Sequence, residues 1–145
     1  MAKDFSEVEF FSKLEDEGKW PATMDELVEG WIAYWNDRDS GTAYGDSEFA
    51  WAADCAGDLV QDHADLGLDF VLGVLSNKPN DSVIVVLAAG PLEDVIADHG
   101  PTIIERVEAE AARSPEFRRL LGGVWKRGGP DDIWQRVLKA APDRW

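Results

Sequence analysis

The sequence predicts an all-α single domain over residues 1–145, built from eight or nine short helices in a compact or solenoid-like stack. Three observations carry that expectation. Apolar residues recur at helical rather than alternating spacing along most of the chain. Gly-Pro and Ser-Pro steps interrupt it at intervals too short for long helices. And 45% of the residues are hydrophobic, enough to build a core in 145 residues despite a net charge of −15.

From Asp4 to Glu17, Phe5, Val8 and Phe11 lie at helical spacing, with Phe10 and Leu14 near the stripe, and Gly18 ends the pattern. Thr23 followed by Glu26 is a capping-box pattern that opens a helix with Leu27, Val28, Trp31, Ile32 and Trp35 on one side. The polar Asp37–Gly45 stretch reads as a loop. A long segment follows from about Asp46, with Trp51, Cys55, Leu59 and Val60 on one face; it either continues past His63 or breaks near Gly67. Leu66 to Leu75 is nearly all apolar, which implies a helix buried on every side. Asn77 to Asp81 is a turn.

Val83 to Leu87 is β-branched and has the local propensity of a strand. Asp81 and Ser82 as N-caps and the following Ala-Ala-Gly favour a helix there instead. Pro91 is placed to begin a short helix from Leu92 to His99, closed by Gly100. Pro101 then starts another, burying Ile103, Ile104, Val107 and Ala111. Ser114-Pro115-Glu116 resets the chain before a helix from Phe117 to Trp125. A Gly128-Gly129-Pro130 turn precedes the last helix, with Ile133, Trp134, Val137 and Leu138.

The charge is uneven. Residues 1–76 hold 18 Asp/Glu against 4 Lys/Arg, a net of −14, while residues 77–145 hold 11 against 10, a net of −1. The N-terminal half therefore presents an acidic surface, which argues against direct binding of nucleic acid, since phosphate needs the opposite sign. A single cysteine, Cys55, excludes an internal disulfide framework and fits a reducing compartment. The first twenty residues are charged throughout, unlike a signal peptide, and the longest apolar stretch, Val83 to Ala89, is far too short to span a membrane. A cytoplasmic protein with no membrane association is expected.

Asp54, Asp58 and Asp62 recur at four-residue spacing, so a helix aligns them as a ladder with Asp65 close by. Like charges at that spacing repel. Three readings of the ladder stand open: a divalent cation, which prefers clustered carboxylate oxygens; a cationic partner; or a solvated face. His63 and His99 fall in no recognised metal spacing, and one cysteine cannot complete a Cys/His zinc site. His99, before a Gly-Pro, suits a helix-capping role. No GxSxG elbow is present, and Gly122-Gly123 and Gly128-Gly129 lack phosphate-loop context, so they read as close packing and a turn. No cofactor is implied. Seven tryptophans are many for this length. Trp31 and Trp35 read as core with a partly exposed edge, the composition of an interface when acidic groups lie nearby.

Ala89-Gly90-Pro91-Leu92-Glu93-Asp94, His99-Gly100, Phe117-Arg118 and Leu120 to Trp125 form a combined pattern over roughly the C-terminal half. It resembles an uncharacterised family of small bacterial proteins, a domain of unknown function, whose members share a "laaGpLEdll…hG" segment followed by "FR-LLGGVW". The resemblance implies no activity. It marks Gly90, Pro91, Leu92, Glu93, Asp94, Phe117, Arg118 and Trp125 as a structural motif. Glu93 and Asp94, in the first turn of a helix, suit the macrodipole and are expected to pair with Arg118 or Arg119, tying the two segments together.

The function expected is that of an acidic protein-interaction module, in its concrete form a bacterial immunity or antitoxin-like protein neutralising a basic partner. Asp54, Asp58, Asp62 and Asp65 would face the partner, with Trp31 and Trp35 as anchors. Two alternatives from other classes are a metal-dependent enzyme using Asp54, Asp58 and Asp62, with or without His63, and an inhibitor that mimics nucleic-acid phosphate.

Overall fold

The computed structural model describes residues 10–11 and 23–145, and every regular element among them is helical. The expected first helix, Asp4 to Glu17, lies outside the described residues except for Phe10 and Phe11, which are helical. In chain order the elements are α1 (Met24–Asp39), a 3-10 turn (Tyr44–Asp46), α2 (Ala50–Asp62), α3 (Ala64–Ser76), α4 (Asp81–Leu87), a π turn (Ala88–Leu92), α5 (Glu93–Arg113), α6 (Pro115–Leu121) and α7 (Asp131–Ala140). Because α4, the π turn and α5 run on as one helical stretch, kinked at His99, six separate helices are described, fewer than the eight or nine expected.

The difference lies at the prolines. Proline lacks an N–H and its ring clashes with the carbonyl four residues back, so Pro91 was expected to start a new helix. It sits instead inside the π turn, whose wider winding carries the chain on. At His99 the backbone leaves the helical region (φ −130°, ψ 15°), so α5 is two helical segments joined at a kink, and Pro101 lies at the start of the second, where the sequence placed a helix start.

Elsewhere local chemistry sets the boundaries. Thr23 accepts the Glu26 N–H at 3.2 Å and caps α1, which extends to Asp39, three residues into the expected loop. The long central segment breaks at His63, in extended conformation, and Gly67 lies inside α3. A Cβ at Gly67 would approach the Val95 side chain to 2.8 Å and the Val60 Cα to 3.2 Å, so α3 packs there closely on the α2 backbone and on a valine of α5. The β-branched Val83–Leu87 run is helical, and its cap is Asn80, which accepts the Val83 N–H at 3.0 Å, rather than Asp81 or Ser82. Ser114 caps α6 through the Phe117 N–H, with Pro115 at the first helical position. α6 then stops at Leu121, short of the expected Trp125.

All the described helices share one core. α3 is its spine: Leu66, Leu68, Phe70, Val71 and Val74 are buried, and α1, α2, α4, α5 and α6 pack around it. Trp31 meets Phe70 edge-on at 5.5 Å. No helix among the described residues is long and apolar enough to cross a membrane.

Gly122 and Gly123 end α6 for a steric reason. The chain after α7 folds back over them, and a Cβ at Gly123 would fall inside the Trp145 indole. The Trp145 N–H donates to the Gly122 carbonyl at 3.2 Å and its indole N–H to the Arg119 carbonyl at 2.7 Å. Arg144 lies over the Trp134 ring and donates to the Leu121 and Val124 carbonyls. The Gly123→Ala variant is therefore expected to lose about 1–3 kcal/mol in urea unfolding, the usual cost of overpacking. Trp145→Ala should remove most of that penalty, so the double-mutant cycle yields a coupling of about 1 kcal/mol or more. Additive losses would mean that the indole does not seat on Gly123.

Candidate functional site

Asp54 and Asp58 lie one turn apart on the exposed side of α2, while Cys55, Ala56 and Leu59 on its other side enter the core. Across from them, the first turns of α5 carry Asp94 and Asp98. The loop between α6 and α7 brings in Arg127. Together these five side chains line an open cleft of about 680 Å³, with Gln61 at one end. Four carboxylates thus share a surface with one guanidinium.

Arg127 serves three carboxylates at once. Its Nη2 is 3.0 Å from Asp94 Oδ1 and 3.5 Å from Asp98 Oδ1, and its Nε is 4.0 Å from Glu93 Oε2. Glu93 also accepts the Trp125 backbone N–H at 3.2 Å. On the α2 side, the Tyr44 hydroxyl donates to Asp54 Oδ2 at 2.7 Å. That hydrogen bond holds the Tyr44 hydroxyl above the ordinary tyrosine range, since the phenolate would lose it and face the Asp54 charge. Burial raises the Asp94 carboxyl, Arg127 opposes the rise, and the charges of Asp98 and Glu93 add to it. Two aromatic side chains stand exposed beside these acids: Tyr44, 48% exposed, on Asp54, and Trp125, 65% exposed, held through its backbone to Glu93.

The structure divides the residues singled out from the sequence. Asp54 and Asp58 enter the cleft, whereas Asp62 and Asp65 do not line it. Asp65 pairs with Arg106 at 3.4 Å, alongside an Arg106–Asp69 bond, and so ties α3 to α5. Trp31, 3% exposed, is core and inaccessible to a partner; Trp35 is half-buried against it. Glu93 and Asp94 do not pair with Arg118 or Arg119, because α6 turns both away from the start of α5. Arg118 instead donates to the Ala111 and Ala112 carbonyls and closes the end of α5. The segments are tied by Arg127 and by the Trp125–Glu93 hydrogen bond.

His99 does act at a helix end, but not its own. Its Nε2 lies 2.9 Å from the Val60 carbonyl, in the last turn of α2. His63 meets the Phe10 ring edge-on. Among the described residues no three His, Cys, Asp or Glu side chains are gathered to hold a metal ion. Sequence reasoning passed over Arg127, Asp98 and Tyr44. The i, i+4 spacing of Asp94 and Asp98 was visible; the crossing of α2 and α5 that brings two such pairs together was not.

A carboxyl raised by folding binds its proton more tightly folded than unfolded. Its contribution to stability is therefore greatest below the unfolded pKa and declines as pH rises through the folded one. The stability of the wild type relative to Asp94→Asn is accordingly expected to fall from acid toward neutral pH, just above the ordinary aspartate range. Urea midpoints across that span measure it. A relative gain for the wild type would mean that the Arg127 contact outweighs burial.

The model of a family of unknown function, DUF6869, matches residues 39–144. No curated protein and no solved structure matches the chain.

Proposed function

We propose that this chain, which belongs to the DUF6869 family of unknown function, acts as an acidic protein-interaction module that binds and neutralises a basic protein. The observation that carries this reading is the cleft itself. Asp54, Asp58, Asp94 and Asp98 share it with one arginine; exposed Tyr44 is hydrogen-bonded to Asp54, and exposed Trp125 is joined through its backbone to Glu93, next to Asp94. A lysine or arginine side chain is the complement of that surface: its charge meets the carboxylates and its cation suits an aromatic face. The −14 charge of residues 1–76 would steer such a partner from a distance.

In its concrete form we place the module among immunity or antitoxin-like proteins of bacteria, which mask a basic surface on a toxin. The single cysteine fits a cytoplasmic setting. Relative to the expectation from sequence, the partner-facing set shifts to Asp54, Asp58, Asp94 and Asp98, with Trp125 rather than Trp31 as the aromatic anchor.

Capture at low salt from lysates of the native cells, with wild type and Asp58→Asn/Asp98→Asn as paired baits, identifies the partner. Association of that partner is expected to slow in the double variant and to depend less steeply on salt, since charges at the edge of an interface act mainly on the on-rate. Trp125→Ala should instead speed dissociation. Asp62→Asn, outside the cleft, should have the smaller effect. All the variants should fold, since each changed side chain is exposed. Equal binding by wild type and the double variant would sink the reading. A rise in melting temperature with Mg²⁺, Mn²⁺ or Ca²⁺ that Asp58→Asn abolishes would favour a metal-dependent function in its place.

A further inference from the structure

On a surface that shares no lining residue with the acidic cleft, the end of α3, the start of α4, α6 and Trp145 enclose an apolar groove of about 520 Å³. Leu75, Ile84 and Leu120 contribute to its lining, and Val85 and Trp145 remain 50% and 45% exposed. Exposed apolar side chains gathered in one concave place, rather than scattered, mark a contact surface. Four charged residues border it: Lys78 from the α3–α4 turn, Asp81 from the start of α4, Glu116 and Arg119 from α6. Among the described residues none of the four makes an ion pair, although ion pairs are frequent elsewhere on the molecule.

We propose that this groove is where two copies of the chain meet, related by a two-fold axis. The charges argue for that occupant. Two cations and two anions around an apolar floor attract neither an acidic nor a basic partner strongly, but they complement a second copy of themselves. Each of the four charges has two of opposite sign among the four that a second copy brings. Their balance argues the same way. The four charged residues of the border sum to zero, so the groove itself brings no net charge from a strongly acidic chain. Lys78 adds a further sign. It holds a left-handed backbone (φ 50°) just past the end of α3, where glycine is the favoured residue, so the chain keeps a lysine at a conformational cost. A dimer formed this way leaves both acidic clefts open and presents them as a bivalent surface.

Sedimentation equilibrium of the purified chain, from micromolar to near-millimolar concentration, tests the proposal without any partner. The wild type is expected to self-associate reversibly, and Val85→Glu to weaken that association by about tenfold or more. A pair of charge variants makes the test specific. Lys78→Glu/Arg119→Glu and Asp81→Lys/Glu116→Lys should each be monomeric alone, through like-charge repulsion, and should associate when mixed. Circular dichroism checks that both fold. A wild type that is monomeric throughout would overturn the proposal, as would self-association that survives Val85→Glu or charge variants that fail to pair on mixing. A monomer that binds an apolar fluorescent dye, lost in Val85→Glu, would also overturn it and assign the groove to an apolar ligand.

Discussion

A helix that is apolar around most of its circumference has to be enclosed, and that constraint organises this fold. α3 keeps only a narrow polar line, Asp65, Asp69 and Ser76, toward solvent, while Leu66, Leu68, Phe70, Val71 and Val74 together cover more of its circumference than a single stripe. Five other helices supply the cover, and each gives its own apolar stripe to α3 while turning its polar side outward. The exposed positions of α2 and of early α5 follow from this. Both helices are oriented by what they bury, Leu59 and Val60 on one and Val95 and Ile96 on the other, and their aspartates are left facing each other across the cleft. The site is thus a by-product of core geometry in its placement, whatever selects its charge.

Around that core, side chains from elsewhere finish helix ends that their own sequences leave open. The last carbonyls of a helix have no partner within it and gain from donors supplied from outside. His99 serves α2, Arg118 serves α5, and Arg144 with Trp145 serves α6. This gives physical content to the family-like pattern. Phe117 fills the core, Arg118 closes the preceding helix, and the paired glycines make room for the indole that docks on α6. In the first segment, Pro91 sits in the wide turn and Glu93 fixes the backbone of Trp125. Glu93 with Trp125, and the paired glycines with Trp145, thereby join parts of the chain distant in sequence.

The sequence was legible where the governing physics is local. Helical character, the caps at Thr23 and Ser114, the apolar spine Leu66–Leu75 and the helical Val83–Leu87 all follow from spacing and capping chemistry within a few residues. The continuity of α4 through α5 was not legible. Whether Pro91 breaks a helix or is absorbed by a π turn depends on packing around Ala88 and Leu92, both fully buried by tertiary contacts. The site shows the same division. Asp54 and Asp58 could be singled out from i, i+4 spacing, but Asp62 carries that signal equally and, like neighbouring Asp65, lies elsewhere, because only the crossing with α5 distinguishes them. Arg127 gave no local signal at all; its role exists only where the α6–α7 loop meets the start of α5.

Within the cleft the balance of charge matters more than the count. Arg127 is one cation against Glu93, Asp94 and Asp98, and Asp54 and Asp58 face the same space with no arginine of their own. The raised Asp94 carboxyl shows that one guanidinium does not offset burial and the neighbouring acids. A solvated acidic face would relax such repulsion by turning its side chains outward. Here the crossing of two packed helices holds the pairs opposite each other. The residual field is therefore local and fixed, and a cationic group entering the cleft would gain from it without reorganising the protein. The other acidic residues of the N-terminal half act differently, because at physiological ionic strength the Debye length is about 8 Å. Charges farther away than that contribute to the approach of a partner and little to holding it. In the proposed complex, steering would thus belong to the half that carries most of the charge, and retention to the few carboxylates that line the cleft.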